Sequence, residues 1–324
     1  MAVIWITGAH GFIGRALSRH LADLGHEVYG IGHGHWTVQQ AQAAGLRLWL
    51  NSEVSAASLG QFSMSVPRPE TIYHLAGGSS VGAALQNPYD DFHRTVGTTQ
   101  ELLEWIRQSS PSSGLVAVSS AAVYGSRHTA PISESAIPDP FSTYGFHKLM
   151  MENVCRNYSQ NFGVRIVIAR LFSVYGPGLQ KQLLWDLCTK LMRDPVVELG
   201  GTGLETRDWI HIHDARRALA ALREHVSVDL PIFNLAAGLS SSVFSIAEAV
   251  LHQWFSADLS ADTDDSRRQR VQFSGVCRPG DPEQLVADVS RLNALGYSCS
   301  IPLAQGLGDY VAWFRKHQQI SFFA

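Results

Sequence analysis

The chain lacks the extremes that mark specialised proteins. No stretch approaches the ~20 consecutive apolar residues of a membrane span. Positive charge is not in excess, since 25 Lys and Arg stand against 28 Asp and Glu, for a formal net charge of −3. Neither a membrane nor nucleic acid is therefore an expected partner. Cysteine is scarce, with four in 324 residues. Cys155, Cys188, Cys277 and Cys299 are too scattered for the close pairs of metal or redox sites, so reduced thiols in a cytoplasmic protein are expected. The N-terminus has no charged segment followed by a small-residue cleavage site, because its apolar run passes directly into a glycine turn. No repeat or low-complexity linker is visible. The rest is ordinary for a globular protein, with 45% hydrophobic and 16% charged residues, enough for one large domain or two closely packed ones.

Apolar runs and helical stretches alternate over the first 170 residues. Strands are expected at 2–7, 27–32, 46–50, 71–76, 114–119 and 164–170, the fourth a mostly apolar run suited to a buried parallel sheet. A helix is expected at 12–24, a long one from Pro88 to about 108, ended by Ser-Ser-Pro at 109–111, and another at 142–161. Strands alternating with helices in this way give an α/β fold with a doubly wound parallel sheet. The second half is less regular, with Gly-rich turns at 200–203, 238 and 275–280 and an amphipathic final helix near 303–317. Residues 258–270 are polar and charged enough for a mobile surface loop. This half is expected to pack on the carboxyl ends of the strands, where doubly wound sheets bind ligands.

The most informative segment is Ala2-Val-Ile-Trp-Ile-Thr-Gly-Ala-His-Gly-Phe-Ile-Gly14. Gly8 lets the chain leave a buried strand in a tight turn. Gly11 lacks the Cβ that would hold off a pyrophosphate, and Gly14 lets the next helix pack closely on the sheet. The phosphates of a dinucleotide would sit at that helix's N-terminus, where free N–H groups and the helix dipole favour anions.

Tyr144 and Lys148 are four residues apart on an expected helix and share one face. A phenol titrates near ~10, and an ammonium on the same face would lower that value toward neutrality. Ser120, ending the fifth strand, offers a hydroxyl to the same reacting oxygen. The pair alone is also what an ordinary helix surface presents. The serine and the dinucleotide turn make the combination specific.

These segments together resemble the extended short-chain dehydrogenase/reductases, in the nucleotide-sugar epimerase, dehydratase and ketoreductase group. Thr7-Gly-Ala-His-Gly-Phe-Ile-Gly14 is similar to that family's cofactor loop and His74-Leu-Ala-Gly77 to its fourth-strand motif. Ser119-Ser-Ala-Ala-Val-Tyr-Gly125 and Tyr144-Gly-Phe-His-Lys148 resemble its serine strand and its tyrosine–lysine pair. Arg170-Leu-Phe-Ser-Val-Tyr-Gly-Pro-Gly178, Gly200-Gly-Thr-Gly with Arg207-Asp-Trp-Ile-His-Ile-His-Asp214, and Arg278-Pro-Gly-Asp281 resemble its later signatures. The resemblance implies a Rossmann domain at 1–175 plus about 207–237, and a smaller C-terminal α/β substrate lobe at about 176–206 and 238–324. It implies Ser120, Tyr144 and Lys148 as catalytic residues, with Tyr144 moving the proton and Lys148 also holding the nicotinamide ribose. Gly8, His10, Gly11, Phe12, Ile13, Gly14, Gly32, His33, Leu75 and Ala76 are the other implied cofactor contacts. Ser79, Ser80, Ser120, Ser173, Arg207, Arg278 and Asp281 are implied on the substrate side. The arginines suit a diphosphate, although interlobe ion pairs are their plainer use. A homodimer through the helices near 88–108 and 142–161 is implied as well.

Departures from the family pattern narrow the reaction. Dehydratases carry an Asp-Glu pair after the serine or threonine, whereas this chain has Ala121 and Ala122, whose methyl groups transfer no protons. NAD-specific relatives end the second strand with an acidic residue on the adenosine ribose. Here Gly32 takes that place, followed by His33-Gly34-His35, which favours NADP over NAD unless the histidines merely form an exposed loop. Thr95 and Ser173 stand where relatives often have asparagine, with shorter reach. His211 and His213 alternate on an expected strand and face one side, but no third ligand accompanies them, so no metal is expected. The leading expectation is NADP-dependent reduction of the 4-keto group of a nucleotide-linked 4-keto-6-deoxy sugar. The alternative is an NAD-dependent nucleotide-sugar 4-epimerase, and a non-catalytic cofactor-binding regulator is the third reading.

Overall fold

The computed structural model describes residues 1–129, 131–255, 270–276 and 282–322. The first half supplies strands β1 (Val3–Thr7), β2 (Glu27–Gly32), β3 (Leu48–Asn51), β4 (Thr71–His74), β5 (Gly114–Ser120) and β6 (Arg165–Leu171). After β7 (Ser173–Tyr175), β8 (Val197–Leu199) and β9 (Thr206–His211), strand β10 (Ile232–Leu235) returns to the main sheet. All seven strands of that sheet are parallel, in the order β10-β6-β5-β4-β1-β2-β3. The side chains alternate between two cores with the strand period of two. Ile4, Ile6, Tyr73, Val116, Val118, Val167 and Ala169 enter one core, and Trp5, Ile72, Leu115, Ala117, Ile166 and Ile168 the other. Burial on both faces is why these strands read as nearly continuous apolar runs.

Helices cover both faces. Helix α1 (Phe12–Asp23) brings Leu17 and Leu21 to the first core. Two helices absent from the sequence reading, α2 (Val38–Ala43) and α3 (Ala56–Ser65), join β2 to β3 and β3 to β4. Both start on capping boxes, Thr37 with Gln40 and Ser55 with Ser58. A short α4 (Val81–Gln86) follows β4. The long helix expected from Pro88 is divided into α5 (Pro88–Phe92), a π turn at His93–Gly97 and α6 (Thr98–Ser109). Helix α7 (Thr143–Phe162) is capped by the Ser142 hydroxyl and ends on Gly163 at φ +68°. Together α3, α6 and α7 cover the second core. Observed strands differ from the expected ranges by a few residues, most at β3 and β4, where pairing starts later or stops earlier than the apolar run.

Helix α8 (Gln182–Leu191) packs away from the main sheet through Leu184 and Leu187, whereas α9 (Ile212–Ala221) packs back on it through Ala218 and Leu219. Strand β9 pairs with β7, β11 (Ser240–Ser242) and β13 (Gln284–Leu285), and β12 (Val271–Phe273) pairs with β8. Helix α10 (Val243–Phe255) and the C-terminal helix Leu303–Phe322 enclose a third core around Trp254, Tyr310 and Phe314. The charged stretch expected as a surface loop, 258–270, lies almost wholly outside the described residues.

One buried ion pair fastens α7 to the sheet. Arg170 near the end of β6 donates from Nε to Glu152 Oε1 at 3.0 Å and from Nη2 to Oε2 at 2.7 Å. Ser119 on β5 donates to the same carboxylate at 2.6 Å, and the guanidinium lies 4.8 Å from the Tyr124 ring. Both charged side chains are essentially without solvent access. Removing one partner strands the other charge in the core. Glu152→Gln should therefore lower unfolding stability by about 3–5 kcal/mol in urea titration. Adding Arg170→Met should recover a large part of that loss.

Candidate active site

A cleft of about 1190 Å³ opens over the carboxyl ends of β1, β4, β5 and β6, and Leu199 on β8, Glu205, and Arg207 and Trp209 on β9 form part of its wall. The strand order reverses between β1 and β4, the position at which doubly wound sheets leave a crevice. Every expected site residue that is described lines this cleft except His10. Arg278 and Asp281 lie outside the described residues.

At the floor, Gly8 has φ +71°, and a Cβ there would stand 2.8 Å from the Ala76 amide nitrogen. A Cβ on Gly14 would reach to 2.4 Å from the Gly8 carbonyl oxygen. The β1 turn, the start of α1 and the end of β4 thus pack backbone to backbone. Gly11 caps α1 with no side-chain hydrogen bond, and the first turn of α1 carries no acidic residue. This is an anion-accepting arrangement that fits a dinucleotide's pyrophosphate.

The end of β2 differs from a carboxylate-bearing site in backbone as well as side chain. Gly32 has φ +153°, and a Cβ on it would lie 3.0 Å from the Gly8 nitrogen. His33 and His35 are exposed. His10 packs against Gly34, and its ring lies 4.7 Å from that of Trp36. Arg15 Nε donates to the His10 carbonyl at 2.7 Å, with its guanidinium 5.2 Å from the Trp36 ring.

Ser120, Tyr144 and Lys148 meet on one wall. Helix α7 places Tyr144 and Lys148 one turn apart, and Gly145, packed against the Ala122 carbonyl, lets the helix approach β5. The Ser120 side chain hydrogen-bonds to Tyr144 and accepts from the Ala122 amide at 3.2 Å. The Lys148 ammonium donates to the Val118 carbonyl at 3.0 Å and lies 5.9 Å from the Tyr144 ring centroid. The sequence reading expects this ammonium to acidify the phenol, and here the structure corrects it. Burial pushes Tyr144 up to about 12, further raised by Asp91 and only partly countered by the Ser120 hydrogen bond. Lys148 is itself brought down to about 8 by burial, against the opposing pull of Asp91 and Glu152.

The π turn after α5 holds Thr95, which the sequence singles out as standing in place of asparagine, and its hydroxyl accepts from the Gly78 amide at 2.8 Å. Two neighbours, Asp91 and Lys181, were not legible as site residues. Asp91 is buried and bonded to His147 Nδ1 at 2.6 Å, and its Oδ1 occupies the place a Cβ on Gly78 would need. His74 bridges Thr7 and Thr99 at 2.7 and 3.0 Å, and burial lowers it to about 3, which makes it a neutral structural link. Lys181 reaches across the cleft to the Ser79 carbonyl at 3.1 Å. Its only sequence signal is a basic residue closing the Gly-Pro-Gly-Leu-Gln-Lys run after β7. Arg207 Nη1 donates to the carbonyls of Thr206 and Pro282 at 2.9 and 2.7 Å. His211 and His213 do not share a strand face as expected. His211 ends β9 and caps α9, accepting from the amide of His213, which is already helical. Among the described residues no cluster of three or more His, Cys, Asp or Glu could hold a metal.

Known proteins match this architecture along its length. The model of the NAD dependent epimerase/dehydratase family matches residues 4–236. An uncharacterized UDP-glucose epimerase of Bacillus subtilis is 28% identical, covering 98% of this chain and 99% of its own. A UDP-glucose 4-epimerase of Azospirillum brasilense is also 28% identical, covering 98% and 88%. Among solved structures, the UDP-glucuronic acid 4-epimerase of Bacillus cereus, in complex with UDP-glucuronic acid and NAD, aligns with a TM-score of 0.83. It is 26% identical, over 97% of this chain and 99% of that one. With the turn, the strand order and the serine–tyrosine–lysine wall in place, the chain belongs to the NAD-dependent epimerase/dehydratase family.

Proposed function

We propose that the protein is a nucleotide-sugar 4-epimerase that uses NAD. The observation that carries this reading is the convergence of Ser120, Tyr144 and Lys148 beside an anion-accepting glycine turn in one cleft. The relatives reported above are UDP-sugar epimerases, and the solved one holds NAD. Epimerisation thus replaces 4-keto reduction as the leading reading, and NAD replaces NADP. An NAD held by the Gly8–Gly14 turn and Lys148 would supply reversible hydride acceptance at the sugar carbon. Tyr144 takes the proton from the C4 hydroxyl as that carbon is oxidised and returns it after the ring presents its other face. Ser120 hydrogen-bonds the reacting oxygen, and Lys148 supplies positive charge as the phenol loses its proton. Arg207 and Ser173 are assigned to the substrate side, and Gly8 through Gly14 to the cofactor pyrophosphate. A cytoplasmic setting belongs to this reading, since Cys155, Cys188 and Cys299 are free thiols.

The lack of a carboxylate at Gly32 is the observation that keeps a second reading, the NADP-dependent 4-ketoreductase. Purified protein given UDP-glucose or UDP-glucuronate should form the C4 epimer, seen by NMR, with no net change in 340 nm absorbance. Stoichiometric consumption of NADPH with a 4-keto-6-deoxy nucleotide sugar, and no epimer, would replace the proposal with the reductase. Tyr144→Phe should lower kcat by at least ~100-fold with little change in stability.

The two titrations set the pH profile. The active form, phenolate with ammonium, holds one proton fewer than the fully protonated pair and as many as phenol with neutral amine. With Lys148 near 8 and Tyr144 near 12, kcat/KM should rise with pH up to about 8 and then level. Lys148→Met should move that rising limb upward toward the phenol's own value.

The proposal includes a homodimer. Tyr89 and Phe92 on α5, with Phe146 and Met150 one turn apart on α7, leave apolar surface exposed on packed helices. Phe146→Asp with Met150→Asp should shift sedimentation from dimer to monomer. A wild-type monomer at micromolar concentration would remove the dimer from the proposal.

A further inference from the structure

Lys181 is a cation whose surroundings are incomplete. It directly precedes α8 and sends its ammonium across the cleft to the Ser79 carbonyl at 3.1 Å. An ammonium has three protons to donate. A carbonyl neutralises no charge, and no described carboxylate lies within ion-pair distance of Lys181. The acid on its own helix, Asp186, pairs with Lys190 at 2.8 Å. Another cleft cation, Arg94, pairs with Asp90 at 2.9 Å. Half-burial lowers the Lys181 pKa, with no neighbouring charge acting against it. A positive charge held in a cleft under these conditions is suited to an anion that arrives with a ligand.

Two further observations locate that anion. Ser79 lies two residues beyond Gly77, where a Cβ would stand 3.4 Å from the Lys148 ammonium. The Lys181 ammonium therefore sits against the segment that follows β4, beside the catalytic wall, whereas Arg207 donates to the carbonyls of Thr206 and Pro282. Gln182, the next residue, has φ +65°, a left-handed conformation costly for a residue with a side chain. Such a conformation persists only where the surrounding structure fixes the backbone, here at the residue next to Lys181. The hydroxyls of Ser79 and Ser80 nearby bring no charge of their own.

We infer that Lys181 selects nucleotide sugars bearing a carboxylate on the sugar ring, so that the substrate class is a uronosyl nucleotide. This rests on reading the cleft as a nucleotide-sugar site. The ammonium donates a charge-assisted hydrogen bond to the carboxylate while keeping its bond to the Ser79 carbonyl. A neutral hydroxymethyl group offers only an ordinary acceptor there. The solved relative that holds UDP-glucuronic acid has the same overall shape.

The test compares UDP-glucuronate, UDP-glucose and UDP by calorimetry on the wild type, Lys181→Met and Lys181→Arg. The wild type should bind UDP-glucuronate about 10- to 100-fold more tightly than UDP-glucose, the range of one hydrogen bond to a charged group. Lys181→Met should abolish that preference and leave UDP affinity within about threefold, and Lys181→Arg should restore much of it. Equal wild-type affinity for the two sugars overturns the inference. So does a Lys181→Met loss shared equally by all three ligands, which would assign the ammonium to the diphosphate. Binding is read without turnover, so a uronosyl preference without C4 epimer formation would sink the proposed reaction and leave this inference standing.

Discussion

The geometry of the candidate site depends on the buried pair between Arg170 and Glu152. Glu152 is two turns along α7 from Tyr144 and one from Lys148, so the carboxylate that anchors the helix also fixes the height of both side chains above the sheet. Its partners come from the ends of β5 and β6, and β5 also carries Ser120. The same guanidinium stacks on Tyr124, whose hydroxyl donates to Asn234 on β10 at 2.6 Å. The backbone N–H of Asn234 in turn donates to the Glu134 carboxylate at 2.9 Å. Four elements are thereby held in register by charge and hydrogen bonding where apolar packing alone would let a helix slide. Such a network is costly to desolvate, and its use here is positional accuracy.

Around that anchor burial sets the protonation of the wall. Burial raises the Tyr144 phenol and lowers the Lys148 amine, so each neutral form is favoured. Acid–base work in such a wall depends on charges that appear together. Asp91 and Glu152 oppose the loss of the lysine's charge, and the Ser120 hydrogen bond opposes the rise of the phenol. His147 is bonded to Asp91 on the far side of this arrangement, which limits how far that carboxylate can turn.

The sheet and its crevice were largely legible in the sequence because both rest on local signals. Apolar runs of strand length, glycines at a turn and Tyr and Lys at helical spacing are each contained within a few residues. α2 and α3 escaped because they are short and their capping boxes use Gln40 and Ser58 in place of an acidic residue. The break in the Pro88 helix escaped because a π turn leaves the hydrophobic period almost unchanged while inserting Thr95 under Gly78. The direction of the Tyr144 shift could not be read from spacing. It depends on how much solvent reaches the phenol and on a lysine bonded to the Val118 carbonyl, which are tertiary facts. Lys181 and Asp91 likewise gain meaning only from what the folded chain sets opposite them.

Gly32 carries a consequence for redesign. Its backbone leans on the Gly8 amide so closely that even a methyl group at position 32 would press on the dinucleotide turn. Grafting an acidic side chain there to imitate ribose-gripping relatives would distort the very loop it was meant to serve. Any engineered discrimination between the two nicotinamide dinucleotides has to enter through the freely solvated His33 or His35 instead.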